Sequence, residues 1–408
     1  MATYVVLARN ADYTIAGALR TYALSATLNF NAVGSIEIGV PLEVCPTGWP
    51  HAGAGVVVVR DNQVWASGTW DQQAYSWSAD SESDDGGPGK LTLTFDTDLG
   101  RLAYRIVYPK PDVSWTDQQD LGAADDDSGA WYEASGNAET LLRNLVNLNA
   151  GPGAVAARRE PHLTLDVIAG VGEDTTVKER FTPLLDAMRT VALAGGGLGF
   201  DVRQDLSSAQ SLKFSVYQPV DRTASVRFSP ELGNLASLSL EHSAPTANVV
   251  LTAGSGQKNK RNTLETPNDD SVAEWGRRET FRDQRQAGAD PADEPTTEEQ
   301  EEAWTEMEKD AADALVEGDE QASFTATAID TPSCTYGVHY NLGDKVSAGV
   351  DSLGFVVSEV VRAVQVQVDE KGNEEVTVSI GTGDEDQTGW LKPVKDLEKR
   401  LSYLERAQ

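Results

Sequence analysis

Leu24, Ala26, Leu28 and Phe30 alternate with polar or small residues, the period-two pattern of a strand with one buried face. The same reading predicts strands at Tyr4–Ala8, Tyr22–Phe30, Ser35–Val40, Gly55–Arg60 and Gln63–Trp70. Asp61-Asn62 is the turn of a tight hairpin, because both residues tolerate positive φ. After a loop rich in Asp, Ser and Gly (Ser81–Gly89), alternation returns at Leu91, Leu93 and Phe95, and Leu102–Tyr108 closes the series. Many short strands with frequent turns predict a barrel or sandwich.

The period then lengthens. Leu141, Leu142, Leu145, Val146 and Leu148 recur at helical spacing, with Asn137 as N-cap and Glu139 near the positive end of the dipole. Gly151 is expected as a left-handed C-cap, followed by Pro152; Arg158 and Arg159 lead into a strand at His162–Ile168. A second helix starts at Thr182-Pro183, with proline in the first helical position, and buries Leu184, Leu185, Met188, Val191 and Ala192. It ends at Gly195–Gly197, which offers carbonyls where a phosphate needs amides, so nucleotide binding is excluded. Strands follow at Leu198–Val202, Leu212–Gln218, Leu235–Leu240, Ala247–Ala253 and Ser323–Ile329. Phe355–Val368 and Glu374–Ile380 form a hairpin across Lys371-Gly372-Asn373. Between these strands, Asp290–Glu320 is dense in Glu, Asp and Ala, and Trp304, Met307, Ala311 and Leu315 predict a helix with one narrow buried stripe.

Charge narrows the function classes. The 408 residues carry 64 acidic against 33 basic side chains, a net −31, which argues against a surface that grips nucleic acid. The one basic loop, Lys258–Arg261, reads as solvated. Cys45 and Cys334 form neither a disulfide framework nor a zinc pattern and are expected as free thiols, a single bridge between them being the alternative. No basic leader with an apolar core and no apolar run of about 20 residues occurs, so a soluble, cytoplasmically made protein is expected. His51, His162, His242 and His339 stand isolated, and no zinc helix, nucleophile elbow or phosphate loop is present. Asp125, Asp126 and Asp127 lack the Gly and distal Glu of a calcium loop. No catalytic, cofactor-binding or metal residue is therefore assigned. Trp49, Trp65, Trp70, Trp77, Trp115 and Trp131 could form a sugar platform, but cores or subunit interfaces are the preferred reading.

The last stretch, Val394–Gln408, spaces Val394, Leu397, Leu401 and Leu404 three, four and three apart, the seam of a coiled coil. Arg400 at g and Glu405 at e would then face each other across parallel helices and favour one register. The alternative is a single helix docking its leucines on its own domain.

Taken in order, LNFNAVGSIEIGVP, GVVVVRDNQVWASGTW, GNAETLLRNLVNLNAGPGAVAARREP, VRFSPELGNLASLSLEHSAPTANVVLTAGSG, RRETFRD and YNLGDKVSA resemble the minor tail proteins of long-tailed actinobacteriophages, relatives of the tail-tip or baseplate hub. The resemblance implies two similar β-barrels with intervening α/β parts; with the patterns above, the expected fold is mostly β with an α/β insert: two β-barrel-like domains, a central α/β domain and a C-terminal coiled-coil helix. Its divisions are residues 1–112, first barrel; 113–228, α/β; 229–388, second barrel with an acidic helical insert at 290–320; and 389–408, the terminal helix. The resemblance further implies a homotrimeric ring in the virion, joining tail-tube proteins to tip or fibre proteins and letting DNA pass without specific binding. Many members carry a C-terminal peptidoglycan-degrading domain; the sequence to Gln408 contains none, so a structural, non-enzymatic role is expected. The rival is a secreted polysaccharide-binding or polysaccharide-degrading β protein.

Overall fold

The computed structural model describes residues 2–21, 23–41, 46–70, 75–78, 90–114, 118, 130–207, 211–256, 261–285, 296–350 and 355–381. Cys45, Trp115, Asp125–Asp127, Lys258–Lys260 and the whole terminal segment with Val394, Leu397, Arg400, Leu401, Leu404 and Glu405 lie outside the described residues.

The alternating first region forms β1 (Tyr4–Arg9), β2 (Ile15–Leu19), β3 (Ala23–Asn29), β4 (Ala32–Pro41), β5 (Gly55–Arg60), β6 (Gln63–Thr69), β7 (Tyr75–Ser78) and β8 (Lys90–Thr97). Leu24, Ala26 and Leu28 are buried, as their period requires. Asp61 and Asn62 adopt φ of 50° and 64° between the paired Arg60 and Gln63, the expected hairpin turn. The strand expected at Leu102–Tyr108 does not form. Leu99 and Leu102, three apart, both reach the core through the short helix α1 (Gly100–Ala103), and Ile106 makes only an isolated bridge to Pro183.

The middle region contributes β9 (Tyr132–Asn137), α2 (Ala138–Asn149), β10 (Leu163–Leu165), β11 (Asp174–Glu179), α3 (Leu184–Ala194), β12 (Gly199–Asp205) and β13 (Ser211–Tyr217). Asn137 caps α2 by accepting from the Thr140 amide at 3.3 Å. Glu139 does more than face the dipole. It is buried, and its carboxylate accepts from the amides of Ala169, Gly170 and Val171 at 2.7, 2.7 and 3.0 Å. That grip turns the chain away after Leu165, so the strand expected to run to Ile168 is shorter, and Val167 and Ile168 are exposed. Gly151 is not left-handed; a Cβ there would stand 2.8 Å from the Asn147 Cα, so close approach requires the glycine. Pro183 occupies the N-cap of α3, and the first helical residue is Leu184. Leu142, Leu145, Val146, Met188, Phe200 and Phe214 form the centre of the core over the β10-β13-β12 sheet.

The remaining elements are β14 (Arg227–Phe228), β15 (Leu235–Ser243), β16 (Val249–Ala253), β17 (Thr263–Pro267), α4 (Asp269–Trp275), β18 (Glu279–Asp283), α5 (Thr297–Gly318), β19 (Gln321–Ile329), β20 (Lys345–Val350), β21 (Phe355–Val368) and β22 (Glu374–Gly381). The β21–β22 hairpin closes as expected, with Gly372 at φ 80° and the Asp369 carboxylate accepting from the amides of Lys371 and Asn373 at 2.8 Å each.

Two compact units result: Met1–Ser237 with Ala326–Gly381, and Leu238–Thr325. A 14-stranded sheet runs β15-β19-β22-β21-β3-β4-β8-β6-β5-β1-β2, with β20 and β14 branching from β21 and β7 from β8. The two expected barrels do not close among the described residues. The reason is β21, which pairs with β22 on one edge and with β3 on the other (Val364 opposite Leu28), merging late and early strands into one sheet. In the second unit, β17-β16-β18 carries α5 on one face. The buried stripe of α5 is Ala303, Met307, Ala311 and Ala314; Leu315 is half-buried and Trp304 is 38 % exposed, so the expected stripe is rotated away from the tryptophan. A large indole does not fit where alanines let helix and sheet approach closely.

Candidate functional site

In the first unit a cleft of about 560 Å³ opens where three sequence-distant segments meet: Arg60–Trp65 of the β5–β6 hairpin, Arg203 and Tyr217 of β12–β13, and Tyr336–Asp344 ahead of β20. Arg60 stands at its centre. Its Nη2 donates to Glu374 Oε1 at 2.8 Å and its Nε to the Tyr4 hydroxyl at 2.8 Å, while Tyr4 donates to the same carboxylate at 2.6 Å. The guanidinium lies over the Tyr336 ring at 5.3 Å and the Tyr4 ring at 5.9 Å. Gly337 beside it has φ 80°, a conformation that demands glycine, and a Cβ there would displace the tip of Arg60. Trp65 Nε1 donates to the Tyr336 hydroxyl at 3.1 Å, which turns the indole from a sugar platform into a wall.

The carboxylates of the cleft are already engaged. Asp344 accepts from the amides of Val220 and Asn341 at 2.8 and 2.9 Å and joins the β13–β14 connection to the turn before β20. Behind the wall, Asp330 accepts from the Tyr340 hydroxyl and the Tyr336 amide, and burial raises its pKa above the ordinary carboxylate value. Burial, followed by the Glu374 hydrogen bond, lifts the Tyr4 phenol well above its usual range; burial does the same to Tyr217 and Tyr336. Cys334 is a free buried thiol pushed up to about 11 by burial and then Asp330, the wrong direction for a nucleophile. The carboxylates in and around the cleft are therefore hydrogen-bonded to backbone amides, arginine or tyrosine. The cleft offers planar rings, amides and guanidinium donors, which suit polar contact more than bond breaking.

A second construction, wholly buried, lies in the same unit. Arg9 and Asp98, both 0 % exposed, pair through two bonds of 2.6 and 2.7 Å. Ser67 and Thr69 donate to the carboxylate at 2.5 and 2.8 Å, and Arg9 also reaches Gly68 O and Gln204 Oε1 at 2.9 and 3.1 Å. Gln204 on β12 thereby ties the middle region to β1 and β6. Burial alone would raise the Asp98 pKa, but Arg9 and the two hydroxyls hold it below the ordinary value. The sequence reading missed Arg9, whose only signal is a lone cation ending the apolar run Tyr4–Ala8.

The residues singled out from sequence do not converge. His51 and His339 sit in separate loops, and the His162 ring packs on Tyr13 at 5.1 Å. Among the described residues no group of three His, Cys, Asp or Glu could hold a metal ion, and no helix is long and apolar enough to cross a membrane. Trp49 and Trp65 are buried, as the core reading expected, whereas Trp131 is 43 % exposed.

The family model for Siphovirus ReqiPepy6 Gp37-like proteins matches residues 5–382. No curated protein matches the chain. Among solved structures, it is similar to the tail protein of Neisseria meningitidis MC58, at 14 % identity and a TM-score of 0.45 over 94 % of this chain and 98 % of that one. The 43 kDa tail protein of prophage MuSo2 from Shewanella oneidensis is similar at 12 % identity and a TM-score of 0.46, over 93 % and 98 %. Prophage tail protein gp18 from Listeria monocytogenes EGD-e follows at 12 % identity and 0.40, over 98 % and 99 %.

Proposed function

Because the chain belongs to the Siphovirus ReqiPepy6 Gp37-like family, a family of siphovirus tail proteins whose place is the virion, we propose that it is a structural hub of the tail tip. Three copies form a ring that joins the tail tube to the tip or fibre proteins and leaves a central passage for DNA. The observation that carries this reading is the family match over residues 5–382, nearly the whole chain. In this reading residues 1–112 and 229–388 supply two β-rich hub layers, 113–228 the α/β part between them, and 389–408 an axial coiled coil through Val394, Leu397, Leu401 and Leu404, with Arg400 and Glu405 choosing register. The role is non-enzymatic, in keeping with a cleft whose carboxylates are bound to backbone and arginine. The acidic balance of the chain fits a channel wall that does not hold phosphate.

Electron microscopy of the purified full chain tests the proposal. Projections with three-fold symmetry and an open centre are expected; a population made only of monomers at every concentration overturns it.

A further inference from the structure

At one end of the β9–β11 ribbon the chain displays a run of aromatic rings and cations. Glu179 opposite Tyr132 is the last pair of the ribbon, and Arg180 and Phe181 follow it in the chain. Arg180 lies over the Phe181 ring at 5.6 Å, Phe181 meets Tyr108 edge-on at 6.2 Å, and Arg158 lies over Tyr108 at 3.9 Å. Three features mark this ladder as unfinished. Phe181 holds φ 55°, a conformation unfavourable for an aromatic residue, while its ring stays 39 % exposed. No carboxylate among the described residues pairs with Arg158 or Arg180, in a chain with 64 acidic side chains against 33 basic. Arg180 is exposed, whereas Arg158 is already held: its Nη2 donates to the carbonyls of Pro111 and Val113 at 2.5 and 3.0 Å, and its Nε and Nη1 are buried.

Helix α5 shows the complementary surface. Its sequence holds nine carboxylates and one lysine, and its outward face presents Trp304 with the exposed Glu301 and Glu308 on either side. No cation among the described residues pairs with either glutamate. Glu301 and Glu308 stand two turns apart, about 10 Å.

We infer that Phe181 and Arg180, the exposed end of this ladder in one copy, receive the Trp304 face of α5 from a second copy of this chain, with Glu308 meeting the Arg180 guanidinium. The contact joins two different surfaces, so each copy of a pair keeps its other surface free for a further neighbour, and a closing rotation gives a ring. Aromatic and arginine anchors with acidic partners are the groups that dominate such interfaces. This inference rests on the ring reading above and names the surface through which copies touch.

Sedimentation equilibrium of the full chain tests it. Arg180→Glu and Glu308→Arg are each expected to weaken association about tenfold or more, and the two together in one chain to recover most of it. Phe181→Gly removes the ring while placing the residue best suited to φ 55°; it is expected to weaken association equally with no loss of thermal stability. If the wild type assembles and all three single variants assemble with unchanged constants, a different protein or none occupies the ladder; the inference falls and the ring survives. Lack of recovery in the double variant removes α5 as the partner. A wild type that stays monomeric overturns the ring reading and this contact together.

Discussion

Two arginine–carboxylate constructions, one in each unit, have the same chemistry and opposite surroundings. Arg9 and Asp98 in the first unit are sealed from water and tie three elements together. In the second unit Arg277 bridges Glu265 on β17 and Glu279 on β18 at 2.8 and 2.5 Å, on the open face of the sheet, with all three side chains about half exposed. The cores differ in parallel. The first unit buries Leu142, Met188, Phe200 and Phe214 among many neighbours; the second has a thin layer of Val250, Ala311 and Ala314 with Leu315 against it. A buried pair cannot be broken without leaving an unpaired charge in a medium that solvates it poorly, whereas an exposed pair returns its partners to water. The difference teaches where the molecule is rigid: the first unit is cross-linked by charge from within, and the second is decorated by charge on its surface.

The largest expected effect breaks the buried member. Asp98→Ala should destabilise the first unit by about 3–5 kcal/mol, read as a lower denaturant midpoint, while the joint replacement Arg9→Met with Asp98→Leu should cost less because no lone charge remains. A single variant that shifts the midpoint no more than a surface substitution would show that water reaches the pair.

Acid sharpens the contrast. The folded-state pKa of Asp98 is lowered, so its stabilisation is present above the unfolded value of about 3.9 and is lost as pH falls through the lower folded value. Arg277 likewise lowers the Glu265 pKa, through its hydrogen bond and then its charge, with the same sign. Salt separates them: added sodium chloride is expected to leave the acid midpoint of the first unit in place and to mute any acid response at Glu265, because only exposed charges are screened. Equal salt sensitivity of both would contradict the burial of Arg9.

The smallest effect lies at the exposed pair. Arg277→Ala should leave the unfolding midpoint within measurement error and speed amide exchange only at β17 and β18. A shift rivalling that of Asp98→Ala would mean that Arg277 is buried in the assembled protein.

Local chemistry was legible. The Asp61-Asn62 and Lys371–Asn373 turns, the Asn137 cap and the apolar faces of α2 and α3 depend on neighbours within a few residues, and those neighbours are adjacent in the chain. The ribbon β9–β11 was not legible, since YEASGN and DTTVKE carry little apolar alternation and pair through backbone. The stripe of α5 follows from helical spacing through Trp304, but a close helix–sheet contact selects the alanines beside it instead.

By itself, then, the sequence determined the type of most elements, their turns and the excess of negative charge, because propensity, period and charge are properties of short stretches or of plain composition. Only the tertiary structure decided that β21 joins β3, that Arg9 meets Asp98 across 89 positions, and that Arg60 meets both Tyr336 and Glu374. Such contacts are set by how whole layers pack and by where a buried charge finds its one partner, and no local pattern encodes either distance.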